Sequence, residues 1–183
     1  VTGVRAAKAE LRARLLAARA ARTSEQLHRD RAAIRAHVLR HAAGQRVVAA
    51  YVPLRTEPGS TELLAELRAA GADVIVPVMQ ADRDLDWAPW QPDGLGAPLG
   101  LAAISAAGLV LVPALAVAAD GTRLGRGGGS YDRALARCAP AAMVTALLFD
   151  RETVAELPRD EWDVPVGAVV TPSGWFEVGG IPL

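Results

Sequence analysis

Residues 47–77 read VVAAYVPLRTEPGSTELLAELRAAGADVIVP. An apolar run opens at Val47 and is stopped by Pro53. A helical pattern then covers 60–70, closed by Gly71, and a second apolar run goes from Asp73 to Pro77. Runs without polar alternation suit strands buried on both faces. Strand, helix, strand with short links is a βαβ crossover, so a parallel sheet is expected.

The same punctuation continues toward the C-terminus. Leu85 to Trp90 reads as a short edge strand or hairpin limited by Pro89 and Pro92, and 101–107 as a short helix. The LVLVP run from Leu109 is the clearest buried strand, with further strands expected from Val144 and Ala168. On the N-terminal side, Val4, Ala7, Leu11 and Leu15 recur at helical spacing, predicting a helix over 4–21. A second helix is expected to start at Ser24 as N-cap and to bury Leu27, Ile34 and Val38 before Gly44 ends it. The expected architecture is α/β: a three-layer α/β/α sandwich around a mainly parallel sheet, preceded by an N-terminal helical pair. A chain of 183 residues fits one domain over 1–183, with helices in 1–43 and an α/β body in 47–183.

Composition narrows the class. Hydrophobic residues at 51% and charged residues at 22% fit a globular protein and exclude a disordered tail. The lone Cys138 excludes an intrachain disulfide, and a reducing, cytoplasmic compartment is expected. Arginines interrupt the N-terminal apolar run before a secretory core can form, and no stretch reaches the ~18 apolar residues of a membrane span. Residues 1–46 carry 11 Lys and Arg against 3 Asp and Glu, in a chain of zero net charge. Without interleaved aromatics, a small anionic ligand is a simpler partner for a basic helical pair than nucleic acid, and a solvated arginine-rich helix face is the alternative for most of these charges.

Chemistry concentrates in residues 123–133, RLGRGGGSYDR. Glycines let a backbone reach φ > 0 and approach an anion closely, so Gly125, Gly127, Gly128 and Gly129 read as an anion cradle or as a flexible turn. No lysine lies near enough for a Walker A loop, and the spacing and late position exclude a Rossmann fingerprint. Arg123 and Arg126 add charge, and a following helix would turn its positive end to the same anion. Asp132 is either an oxygen ligand for Mg²⁺ against phosphates or a helix N-terminal aspartate. Asp163 is a candidate second ligand that nothing local separates from Asp160 or Glu161.

Lys8 is the one lysine beside 19 arginines. With Arg12 four residues on, it forms a two-cation clamp suited to a polyphosphate, or it is a chance lysine on a solvated face. Glu57 follows the first strand and could accept hydrogen bonds from a pterin-like ring, or be solvated. Trp87, Trp90 and Trp162 could stack on such a ring, or pack in the core.

Together, KAELR at Lys8, TEPGST at Thr56, RLGRGGGSYDR at Arg123 and EWDVPVGAVVTP at Glu161 resemble the 5-formyltetrahydrofolate cyclo-ligase (methenyltetrahydrofolate synthetase) family nearly end to end. The resemblance implies an α/β/α fold and conversion of 5-formyltetrahydrofolate to 5,10-methenyltetrahydrofolate with ATP as co-substrate and Mg²⁺, within one-carbon metabolism. It assigns Lys8, Arg12, Arg123, Gly125, Arg126, Gly127, Gly128, Gly129, Ser130 and Tyr131 to ATP. Glu57, Arg126, Gly128, Ser130 and Tyr131 fall to the folate, Asp132 and Asp163 to the metal, and Lys8, Arg126 and Asp132 to catalysis. It also implies a cytoplasmic monomer without nucleic-acid or membrane partners. Ser130 stands where the family usually has a tyrosine, and Trp162 where a histidine often precedes the metal aspartate. The alternative is a paralogue that binds nucleotide or folate without turnover.

Overall fold

The computed structural model describes residues 2–182, with side chains from Ala6 onward. Two helices come first, α1 (Thr2–Ala20) and α2 (Ser24–His41). They are followed by β1 (Val47–Ala49), α3 (Thr61–Ala69), β2 (Asp73–Met79), β3 (Leu85–Gln91) and β4 (Gly94–Leu95). A 3-10 turn at Leu101–Ala106 leads to β5 (Leu109–Pro113), β6 (Ala116–Ala118), β7 (Arg123–Leu124) and α4 (Ser130–Leu135). Strands β8 (Met143–Leu147), β9 (Thr153–Val154), β10 (Ala168–Thr171) and β11 (Gly174–Glu177) complete the chain.

The main sheet has the order β11-β10-β8-β5-β1-β2-β3-β4. Its centre, β10-β8-β5-β1-β2, is parallel, and the antiparallel pairs β10–β11, β2–β3 and β3–β4 close its two sides. Val48, Val74 and Val76 face one side, where Ile34 and Val38 of α2 and Leu63, Leu64 and Leu67 of α3 cover them. Their neighbours Ala49 and Ile75 face the other side, under Ile104 of the 3-10 turn and Ala134 and Leu135 of α4. The strand period of two thus produces the three layers, and each large aliphatic side chain so buried contributes about 2 kcal/mol.

Several expectations need correction. β1 ends at Ala49, because beyond Ala50 the chain leaves the sheet: Tyr51 turns into the α2/α3 core while Val52 is exposed. Thr23, not Ser24, is the N-cap of α2, in a capping box with Gln26. The two N-terminal helices do different jobs. α2 covers the main sheet, whereas Leu15 of α1 packs on Leu115 and on Ala116 and Leu124 of a separate sheet ordered β7-β6-β9. That sheet was unforeseen in the sequence; two of its strands, β6 and β7, lie between β5 and the glycine loop, so the loop follows β7. The helix after the glycine loop, α4, is short, spanning six residues from Ser130. Trp87 and Trp90 are buried in the two cores, which removes them as ring-stacking candidates.

Candidate active site

Parallel strands share one carboxyl edge, and where consecutive connections leave in opposite directions the loops part and open a crevice. Here β2 lies on one side of β1 and β5 on the other. A cavity of about 650 Å³ opens at that edge, walled by Glu57 after β1, Met79 at the end of β2 and Pro113 and Ala114 at the end of β5.

One wall is the glycine loop. Gly125 to Gly129 border the cavity, their backbone in part solvent-exposed, with left-handed φ at Gly127 (+98°) and Gly129 (+66°). Gly129 is the N-cap of α4, which puts Asp132 inside the first turn rather than ahead of it. A helix this short carries a small dipole, so an anion placed here would be held mainly by the loop amides and the neighbouring cations. Arg123, nearly buried, donates to Asp132 Oδ1 at 2.8 Å. Arg126 reaches across to Glu57 Oε1 at 3.2 Å.

The roof is α1. Lys8, Arg12, Leu15 and Arg19 recur at helical spacing on one face, and the three cations all border the cavity. Arg12 donates to the Gly125 carbonyl at 2.9 Å. Lys8, 9% exposed, donates to Asp160 at 2.9 Å and to Asp163 at 3.1 Å. Burial works against its charge, but those hydrogen bonds and the two carboxylate charges outweigh it and hold the ammonium above its ordinary value.

Every predicted site residue therefore borders one cavity: Lys8, Arg12, Glu57, Arg123 to Asp132 and Asp163. The Val164 amide donates to Asp132 Oδ1 at 3.4 Å, which brings the preceding Asp163 toward Asp132. Among the described residues no three of His, Cys, Asp and Glu gather into a metal cage. Two hard carboxylates bordering one cavity beside the glycine loop would suit Mg²⁺, which takes one or two carboxylates and completes its shell with phosphates and water. Ser130 is buried with its hydroxyl 3.8 Å from the Met79 sulfur, so an apolar thioether stands beside the place of the missing tyrosine. Trp162 is 76% exposed and lines a neighbouring cleft with Arg133 and Arg159.

Sequence reasoning missed Arg19 and Met79. Arg19 was legible as the next member of the α1 stripe, whereas Met79 carried no signal beyond ending an apolar run. Arg19 is 2% exposed and clasps Glu152 through two 2.7 Å bonds while donating to the Ala114 carbonyl at 2.6 Å.

The sequence profile of the 5-formyltetrahydrofolate cyclo-ligase family matches residues 4–172. A 5-formyltetrahydrofolate cyclo-ligase of Mycolicibacterium smegmatis is 41% identical over 143 residues, 69% of this chain and 74% of that protein. The fold is similar to 5,10-methenyltetrahydrofolate synthetase of Aquifex aeolicus, with TM-score 0.77 and 23% identity over 96% of this chain and 95% of that one. It is likewise similar to the Mycoplasma pneumoniae synthetase, with TM-score 0.78 and 18% identity over 90% and 98% of the two chains. With its profile spanning the glycine loop, the α1 cations and the cavity they enclose, the chain belongs to the 5-formyltetrahydrofolate cyclo-ligase family.

Proposed function

We propose that the chain closes 5-formyltetrahydrofolate to 5,10-methenyltetrahydrofolate at the expense of ATP. The observation that carries this is the pairing of two unlike walls in one cavity: cations and glycine backbone on one, the buried Glu57 carboxylate on the other. The first suits a polyphosphate, the second the adjacent N–H and amino donors of a pterin.

An N-formyl amide is a poor electrophile because its oxygen leaves badly. In the proposed reaction the formyl oxygen attacks the γ-phosphorus and ADP leaves. N10 then attacks the formyl carbon, the former formyl oxygen departs with phosphate, and N10 gives up its proton. Both steps need alignment and charge neutralisation rather than a protein nucleophile. Lys8 and Arg126 meet charge developing on the transferred group, Lys8 exchanging its carboxylate partners for phosphate oxygens. Arg12, Arg123 and the 125–131 backbone orient the rest of the nucleotide, while Glu57 with the 126–131 wall orients the folate. Asp132 and Asp163 would hold Mg²⁺, which supplies charge neutralisation at the phosphates when bound.

A cytoplasmic monomer without nucleic-acid or membrane partners is part of this reading. In support, no helix among the described residues is long and apolar enough to cross a membrane, and Cys138 is a half-buried packing thiol.

The test is appearance of the methenyl chromophore with Mg-ATP and 5-formyltetrahydrofolate, matched by substrate-dependent ADP. Titrated protein that yields neither refutes the reading. Calorimetric binding of ATP or folate without turnover would replace it with the non-catalytic paralogue.

A further inference from the structure

Glu57 sits on a loop between β1 and α3 that has no ladder of its own to hold it, yet it is only 5% exposed. What holds it comes from α2. The Arg31 guanidinium donates to three backbone carbonyls of that loop. Nε reaches Glu57 O at 3.0 Å, and one terminal nitrogen reaches Glu57 O and Arg55 O at 2.8 Å and Leu54 O at 3.3 Å. A planar fork can meet converging carbonyls in this way, whereas an ammonium on a flexible stem cannot hold the same set.

The loop also closes on itself. The Glu57 amide donates to Leu54 O at 2.9 Å, and the Leu54 amide donates to Glu57 Oε2 at 2.8 Å. Arg31 therefore clamps the main chain of the turn, the turn fixes Oε2, and Oε1 is left facing Arg126 at 3.2 Å. Arg31 is not among the residues lining the cavity. Its influence on a ligand passes through Glu57.

We propose that Arg31 is a positioning residue that presents the Glu57 carboxylate to the folate ring, and so governs affinity for folate but not for nucleotide. This rests on the folate reading of the cavity. An acceptor fixed in advance costs less ordering on binding than one on a loose loop, and among the described residues the hydrogen bonds of Arg31 go to the 54–57 turn and not to the nucleotide wall built from α1 and the glycine loop.

The test compares Arg31→Met and Arg31→Lys with wild type in the full chain. It reads KM for 5-formyltetrahydrofolate, KM for Mg-ATP, kcat, and calorimetric binding of 5-formyltetrahydrofolate without nucleotide. Water can replace the guanidinium at the Leu54 and Arg55 carbonyls, where the contacts are exposed, so the fold is expected to persist. The expected result is a rise of about tenfold in folate KM and Kd for the methionine variant, with Mg-ATP KM and kcat within about twofold. The lysine variant recovers part of the loss, and it carries the test alone if the methionine variant does not fold. A folate KM within about twofold of wild type, or an equal rise in both KM values, overturns the positioning role. A wild-type chain that binds no 5-formyltetrahydrofolate overturns the folate reading beneath it as well.

Discussion

The Arg19–Glu152 pair joins α1 to the turn after β8, and removing one partner tests whether it anchors the roof of the site. Both side chains are nearly buried, at 2% and 7% exposure. Glu152 Oε2 also accepts from the Phe149 amide at 2.8 Å, and Arg19 lies 5.6 Å from the Phe149 ring centroid. Arg19→Met strips the guanidinium and leaves a buried carboxylate with one amide for company, together with an Ala114 carbonyl that has lost its donor. Breaking a buried pair from one side costs about 3–5 kcal/mol. For a domain of this size that lowers Tm by on the order of 10 °C. Circular dichroism melts and urea titrations at pH 7 measure it directly. The double variant Arg19→Met with Glu152→Gln should recover more than half of the loss, because the stranded charge is gone and the glutamine carbonyl still accepts from Phe149. A single-variant cost below about 1 kcal/mol, or a double variant no more stable than Arg19→Met, would refute the reasoning.

Lys8→Ala should lower kcat/KM for Mg-ATP at least about a hundredfold, as expected for a cation at a transferring phosphoryl group, while shifting the urea midpoint little; near-normal turnover would remove Lys8 from the chemistry. Hydrogen bonds from Arg137 (2.9 and 2.5 Å), then from the Leu85 amide, hold the Asp84 carboxyl at about 2, against an ordinary 3.8. Because the folded value lies below the unfolded one, its contribution is complete above about pH 4 and fades as pH falls toward 2. Asp84→Asn should flatten that part of a plot of urea midpoint against pH, and an unchanged plot would contradict the assignment. Gly127→Ala has room for a methyl group, 3.6 Å from the Arg12 guanidinium, but its φ of +98° disfavours any side chain by about 1–2 kcal/mol. Calorimetry should show ATP affinity falling about tenfold, and unchanged affinity would mean that the loop tolerates another path.

Local pattern carried much of the fold. The apolar runs at Val47, Asp73 and Leu109 are strands because an uninterrupted apolar run suits a centre buried on both faces. The strand or hairpin expected over Leu85 to Trp90 is β3 with β4, and Pro89 is tolerated inside β3 because only the two-residue β4 lies beyond it and few ladder bonds are needed there. Strands of two or three residues, such as β6, β7 and β9, leave no periodic trace, and they build the small sheet that α1 sits on. Candidate site residues were legible by type: a lone lysine, a glycine run, a loop glutamate. Arg31 was not, because an arginine bound to backbone carbonyls looks like any other arginine in a basic helix.

The sequence alone determined the α/β class, the glycine loop and the kinship with the cyclo-ligase family, because each is written in residues close together along the chain. Only the tertiary structure decided which partners those residues have. Lys8 meets Asp160 and Asp163 across separations of 152 and 155 residues, and Arg126 meets Glu57 across 69. Such pairings depend on where whole elements pack, and the packing of α1 on one sheet and α2 on another follows from buried surfaces that no short window contains.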